Sequence, residues 1–157
     1  MTETYLFLKS LHILGVVCFL GNIIITAWWK TMADRTKQAR LVAYAQRQVT
    51  LTDIIFTAGG ALLILVTGIG NAHLLNMDYW HIRWLAWGLR LFIISGMIWV
   101  LILIPIQIKQ ARIARAFADG CEIPGIYWRL GRFWIVFGIV ATILPMMNVY
   151  LMVFKQS

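Results

Sequence analysis

Four long stretches of the chain contain no Asp, Glu, Lys or Arg and are almost entirely apolar. They are Ser10–Trp29, Ile54–Leu75, Leu91–Ile108 and Phe133–Phe154. A helix rises about 1.5 Å per residue, so each stretch is long enough to cross a hydrocarbon core about 30 Å thick. A soluble domain of 157 residues could not bury four such helices. The sequence therefore predicts an all-α, polytopic membrane protein that forms a four-helix bundle of one domain.

The predicted helices extend somewhat beyond these stretches, to about residues 5–29, 52–75, 80–108 and 128–154. The composition agrees, because 61% of the residues are hydrophobic and 13% are charged, whereas about a quarter of a soluble domain is charged. The two cysteines, Cys18 and Cys121, lie in a span and in a loop. We therefore expect neither a disulfide nor a cysteine metal site.

The formal net charge of +8 is concentrated in two connections between spans. Residues 30–50 contain Lys30, Arg35, Lys37, Arg40 and Arg47, and residues 109–132 contain Lys109, Arg112, Arg115, Arg129 and Arg132. Short loops rich in Lys and Arg stay in the cytoplasm. The sequence therefore predicts that loops 1 and 3 are cytoplasmic and that both termini are outside, in the bacterial inner membrane. Membrane orientation accounts for the charge, so no nucleic-acid partner is expected.

Two histidines lie inside predicted spans, where an ionisable side chain is costly and often functional. His12 lies three residues beyond Lys9 and His73 lies three residues before Asn76, so the predicted topology sets them at similar depths. Neutral imidazoles on two helices can ligate a haem iron from both sides. Gly15 and Gly70 share helix faces with these histidines and would leave room for a porphyrin. The alternatives are a hydrogen bond from His12 to a neighbouring helix and an interfacial position for His73.

Arg90 is a third ionisable residue within a span, and it lies seven residues beyond Arg83 on the same face of the third helix. No span carries a carboxylate at that depth, because Asp53 lies at the opposite surface. A ligand such as a haem or a porphyrin would supply carboxylates through its propionates. Arg90 and Arg83 are therefore predicted to hold this ligand. The alternative is that Arg90 snorkels to the membrane surface.

Several patterns distributed along nearly the whole chain resemble one bacterial family. They are LKSLHILG at Leu8–Gly15, a Gly-rich second helix ending near His73, WLAWGLR at Trp84–Arg90, and a closing run from Trp134 to Lys155. These patterns resemble the small four-helix integral membrane proteins named domain of unknown function 2269. The resemblance implies a four-helix membrane fold and no particular chemistry.

Two shorter patterns resemble a second family. Lys9-Ser-Leu-His12-Ile is similar to the first helix of the haem-containing membrane protoporphyrinogen oxidases of the HemJ type, where such a histidine ligates haem. Trp87-Gly-Leu-Arg90-Leu is similar to their third-helix pattern, with one residue fewer and with Arg in place of an essential lysine. The resemblance implies that His12 is a haem ligand and that Arg90 is the matching cation. Arg stays protonated and cannot serve as a base, so the oxidase reaction is not implied.

The leading hypothesis is a membrane protein that binds haem b and transfers electrons near the outer face. His12 and His73 would be the axial ligands, Tyr79, Trp84 and Trp87 would line the edge, and a quinone or a porphyrin would be the redox partner. A second hypothesis is a non-catalytic membrane subunit or assembly factor, which needs only a helix surface for a partner protein or a second copy. A third is a small-ion or metal permease, which the lack of an acid at the membrane midplane disfavours.

Overall fold

The computed structural model describes residues 3–78 and 81–154, which form four long helices and contain no strand. The helices are α1 (Glu3–Thr36), α2 (Ala39–Leu74), α3 (Arg83–Ala116) and α4 (Gly125–Phe154). Each helix is long and apolar enough to cross a membrane. Large apolar side chains such as Leu62, Leu101 and Val136 are exposed on the outside of the bundle, where lipid would cover them. The predicted all-α fold with four spanning helices is confirmed.

The helices near the first basic loop are longer than the apolar stretches predict. α1 continues past residue 29 to Thr36, and α2 begins at Ala39 rather than at residue 52. The first loop is therefore a tight turn at Lys37 and Gln38, and Lys37 has a φ of 53°. Residues 39–52 are helical because an apolar face packs into the bundle while the basic residues face outward. A change from apolar to charged residues marks where a helix leaves the hydrocarbon, not where the helix ends. Both α1 and α2 continue beyond that point.

The remaining helix limits differ less from the prediction. α3 begins at Arg83, whereas Tyr79, Trp80 and Lys155 lie outside the described residues. At its other end α3 continues past residue 108 to Ala116. The chain then turns through Gly120, whose φ of 103° suits a residue without a side chain. α4 begins at Gly125, three residues before its predicted start, and runs through Pro145.

The four helices form two pairs that meet mainly at one end of the bundle. α1 packs along α2, and α3 packs along α4, whereas the backbones of α1 and α3 stay apart within the described residues. The pairs join where residues 39–52 of α2 pack against residues 104–116 of α3. We name this the basic end, because the turns at residues 37–38 and 117–124 lie there. Towards the opposite end the pairs separate and leave space between them.

Glycines set the close approach of α1 and α2. A Cβ atom added to Gly60 would lie 3.0 Å from Phe19 Cβ and 3.1 Å from the backbone oxygen of Gly15. A Cβ atom added to Gly15 would lie 3.3 Å from the backbone oxygen of Gly60. Small residues allow such backbone contact between helices in lipid. Gly60 of α2 therefore serves helix packing.

α2 and α3 each contain a π-helical segment, at Asp53–Ala58 and at Trp99–Leu103. Such segments are rare and occur frequently at functional sites, because each widens one helical turn and redirects its side chains. Both segments border the same cavity, to which they contribute Asp53, Thr57, Trp99 and Leu103. The π-helical segments of α2 and α3 therefore lie beside the same cavity.

Candidate functional site

A cavity lies between the two helix pairs at the end opposite the basic end, and we name it the outer cavity. Its volume is about 420 Å³, which lies in the usual range of about 300–1,000 Å³ for small-molecule sites. All four helices line it, mostly with aliphatic and aromatic side chains. Its polar side chains include Lys9, His12, Asn71 and Asn148. Such a lining suits a hydrophobic ligand with a small polar part.

His12 is half-buried in the wall of the outer cavity. Its Nδ1 lies 3.0 Å from Thr67 Oγ1, and Thr67 donates its own hydroxyl proton to the backbone oxygen of Leu63 at 2.5 Å. In this hydrogen-bond arrangement Thr67 Oγ1 accepts from His12, which assigns the imidazole proton to Nδ1. The hydrogen bond between helices that the sequence left open is thus present. It leaves a lone pair on Nε2, as a metal ligand requires.

The side-chain oxygens of two asparagines in the outer cavity accept no hydrogen bond from a described residue. Asn148 Nδ2 donates to the backbone oxygen of Gly88 at 3.0 Å, but Asn148 Oδ1 is buried without a partner among the described residues. Asn71 Oδ1 is in the same state. A buried oxygen without a donor costs about 1–3 kcal/mol. These oxygens therefore favour a ligand that brings O–H or N–H groups into the cavity.

The structure does not bring the other predicted ligand-binding residues to the outer cavity. His12 is level with Thr67, and His73 lies six residues further along α2, which is about 9 Å by helical rise. The side chain of His73 is exposed at the end of α2. Arg83 and Arg90 are also exposed, and Arg90 Cζ lies 5.2 Å from the centre of the Trp87 ring. Among the described residues, Lys9 is the positively charged side chain that lines the outer cavity.

Gly15 and Gly70 both lie in the contact between α1 and α2. Gly15 faces Gly60 and Ile64, and a Cβ atom on Gly70 would lie 3.1 Å from Leu8 Cδ1. The space beside each glycine is therefore filled by the neighbouring helix. His12 itself contacts Gly68, where an added Cβ atom would lie 3.2 Å from His12 Cε1. The glycine that makes room for His12 is thus on the partner helix.

A buried carboxylate lies in the bundle, where the sequence placed it at a surface. Asp53 is 7% exposed, and its Oδ1 accepts from Asn22 Nδ2 at 2.8 Å and from Thr57 Oγ1 at 3.1 Å. Its Oδ2 accepts from Gln107 Nε2 at 2.9 Å. These bonds connect α1, α2 and α3. The available signal was that Asn22 and Gln107 interrupt apolar stretches, where amide side chains need partners.

A second polar cluster lies at the basic end and contains a buried lysine. Lys30, which the sequence placed in the first basic loop, is 1% exposed. Its Nζ donates to Tyr127 Oη at 2.8 Å and lies 3.3 Å from Asp34 Oδ2. Tyr127 Oη in turn lies 3.3 Å from Gln46 Oε1. The cluster connects α1, α2 and α4, and Lys30, Gln46 and Tyr127 line neither of the two large cavities between the described helices.

Metal-ligand clusters are not found within residues 3–78 and 81–154, where no group of three or more His, Cys, Asp and Glu side chains could hold an ion. A haem iron differs in this respect, because the porphyrin already supplies four nitrogens and one axial histidine is enough. The imidazole of His12 meets that smaller requirement. The candidate site is therefore the outer cavity around His12.

Comparison with known proteins identifies the family. Neither the curated proteins nor the solved structures include a significant match to this chain. One family model, described as a predicted integral membrane protein (DUF2269), matches residues 6–156. The match covers nearly the whole chain and all four helices. The protein therefore belongs to the DUF2269 family of integral membrane proteins.

Proposed function

We propose that the protein binds a b-type haem in the outer cavity, with His12 as an axial ligand, and that it has a redox role in the membrane. The observation that carries the proposal is the hydrogen bond from His12 Nδ1 to Thr67 Oγ1. This bond orients the imidazole and leaves Nε2 for the iron, as hydrogen bonds to metal-ligating histidines generally do. Bound haem would supply one-electron transfer.

The other residues of the outer cavity have simpler roles in this proposal. The apolar side chains from the four helices exclude water and accommodate a flat hydrophobic ring. Lys9, at the mouth of the cavity, is placed to attract an acidic group of the ligand. Arg83, Arg90 and His73 are not needed. With the predicted topology the cavity opens towards the outer face of the bacterial inner membrane.

A second candidate ligand is a quinol, and the unpartnered oxygens of Asn71 and Asn148 favour it. A hydroquinone carries two hydroxyl groups that could donate to such oxygens, and His12 Nε2 is a further acceptor beside them. Its apolar tail would extend between the helix pairs. Both candidates have a redox role at the same site. They differ in whether His12 binds iron or accepts a proton.

A visible absorption spectrum of the purified protein tests the proposal. The protein is expressed with added haem, extracted in detergent, and measured as a reduced-minus-oxidised difference spectrum with haem quantified per chain. We expect haem in the wild type, its loss in His12→Ala, and its retention in His73→Ala, the matched control. Haem-free wild type, or equal haem in His12→Ala, would contradict the haem proposal. Quinone extracted from the wild type but not from His12→Ala or Asn148→Ala would then support the second candidate.

A further inference from the structure

A second cavity, which we name the inner cavity, contains the carboxylate of Asp53. Its volume is about 670 Å³, and it lies between α1, α3 and α4 with Asp53 and Thr57 of α2 at its base. Most of its wall is apolar, and Trp99 and Trp134 contribute aromatic surface. The exposed side chains of Ile24 and Trp28 form part of its rim, so the cavity opens towards lipid. The outer cavity and His12 are not part of it.

An Asp53 carboxylate has no described cation beside it. Lys30 is paired with Asp34. Arg35 also lines the inner cavity, but it lies thirteen residues from Asn22 along α1, or about 20 Å by helical rise. Asn22 contacts Asp53 directly, so the guanidinium of Arg35 lies at the far end of the cavity. Within the described residues, Asp53 forms hydrogen bonds but no ion pair.

The hydrogen bonds around Asp53 stabilise a carboxylate and leave one acceptor position open. An ionised carboxylate has about four acceptor positions. Asn22 and Thr57 donate to Oδ1, and Gln107 donates to Oδ2. All three donors are neutral, so they hold the negative charge without compensating it. The remaining position on Oδ2 can accept from a further donor.

We propose that the inner cavity binds a protonated amine with an apolar body, with Asp53 as its counter-ion. The ammonium donates to Oδ2 of Asp53 and balances its charge, which is costly to leave unpaired in a lipid-facing bundle. Trp99, which also lines the cavity, can attract the same cation through cation–π interaction. The apolar body fills the remaining volume and reaches the cavity through its opening towards lipid.

The π-helical segments agree with a binding role for this cavity. Asp53 and Thr57 belong to one segment, and Trp99 and Leu103 belong to the other. The charged group and one aromatic wall of the proposed site are therefore both carried by irregular turns. Such turns cost helix hydrogen-bond geometry and are found where side-chain direction matters for function.

The test compares two probes of the same shape, 1-naphthylmethylamine, which is protonated at neutral pH, and the neutral 1-naphthylmethanol. Their binding to purified full-length protein in detergent is measured by isothermal titration calorimetry. We expect the amine to bind about tenfold or more tightly than the alcohol, the lower end of what a hydrogen bond to a charged group contributes. Asp53→Asn should abolish this preference, whereas Asp119→Asn, on an exposed loop, should keep it.

A second variant keeps the test decisive if Asp53→Asn does not fold. Gly138 lines the inner cavity, and a Cβ atom there meets nothing within 4 Å. Gly138→Leu should fill part of the cavity and weaken amine binding by about tenfold. Gly21→Leu, which also meets nothing within 4 Å but lies outside the cavity, should bind normally. The proposal would be overturned if the wild type does not bind the amine, or binds the amine and the alcohol equally. It would also be overturned if Asp53→Asn keeps the preference for the amine, or if Gly138→Leu binds the amine as tightly as the wild type.

Discussion

At the residue scale, the buried hydroxyl group of Tyr127 brings together polar side chains from three helices. Tyr127 is fully buried, accepts from Lys30 and lies beside Gln46 and Asp34. Its ring also lies below the Lys30 ammonium, which is 4.8 Å from the ring centre. One side chain of α4 thus satisfies a buried cation of α1. The hydroxyl group is the part of Tyr127 that makes these polar contacts.

Tyr127→Phe should therefore destabilise the protein, because Lys30 loses an acceptor that water cannot replace. The expected loss is about 1–3 kcal/mol, the cost of an unsatisfied buried polar group. Thermal unfolding in detergent measures it as a lower midpoint temperature. Tyr44→Phe is the matched control, since Tyr44 is 62% exposed and its hydroxyl can reach water. Identical midpoints for the two variants would show that the Lys30–Tyr127 bond contributes nothing to stability.

At the element scale, the two helix pairs are built differently. α1 and α2 approach until their backbones touch at Gly15 and Gly60. α3 and α4 are joined by side chains that reach a backbone, because Ser95 Oγ donates to the oxygen of Ala141 at 2.7 Å and Asn148 donates to that of Gly88. The first pair therefore combines close backbone contact with hydrogen bonds between side chains, whereas the second uses hydrogen bonds from side chains to backbone oxygens.

Gly60→Ala should destabilise the α1–α2 pair, because the added methyl group meets backbone atoms of Gly15 and Phe19 that cannot move aside. Overpacking of this kind costs about 1–3 kcal/mol. The neighbouring variant Gly59→Ala is the control, since its methyl group meets nothing within 4 Å. Ala also favours a helix over Gly by about 1 kcal/mol, so Gly59→Ala should be neutral or stabilising. Thermal unfolding that ranks the two variants the other way would contradict this packing.

At the scale of the whole molecule, the helix pairs join at the basic end and two cavities lie between the helices. Near the basic end lie apolar clusters around Tyr127 and Trp134, together with the Lys30 cluster, and Trp134 also lines the inner cavity. The outer cavity faces the opposite end, and the inner cavity opens sideways towards lipid. The position of each cavity relative to the membrane follows from the orientation of the chain.

The predicted orientation puts the basic end in the cytoplasm and both termini outside. A reporter that is active only outside the cytoplasm should therefore be active when fused after Ser157. A cysteine introduced at Gln38, in the turn between α1 and α2, should be labelled by an impermeant reagent only in inverted membrane vesicles. An inactive reporter together with labelling of intact cells would show the opposite orientation, with the outer cavity on the cytoplasmic side.

The sequence by itself determined the membrane class, the four helices and the family resemblance. Long uncharged stretches of this length have one stable solution in lipid, since every backbone group must be bonded within a helix. His12 was also identified, because an ionisable residue stands out in an apolar span. These features are local, and the order of residues along the chain is enough to reveal them.

The tertiary structure decided which polar side chains meet. His73, Arg83 and Arg90 were predicted to share a site with His12 but do not line the outer cavity. The α1–α2 contact sets His12 level with Thr67, six residues before His73. Asp53 became a candidate site only when Asn22 and Gln107, both distant in the chain, were brought to it. The depth of a residue in the membrane follows from counting residues. Its partners depend on the rotation and register of neighbouring helices, which packing between side chains fixes and which no spacing along a single helix contains.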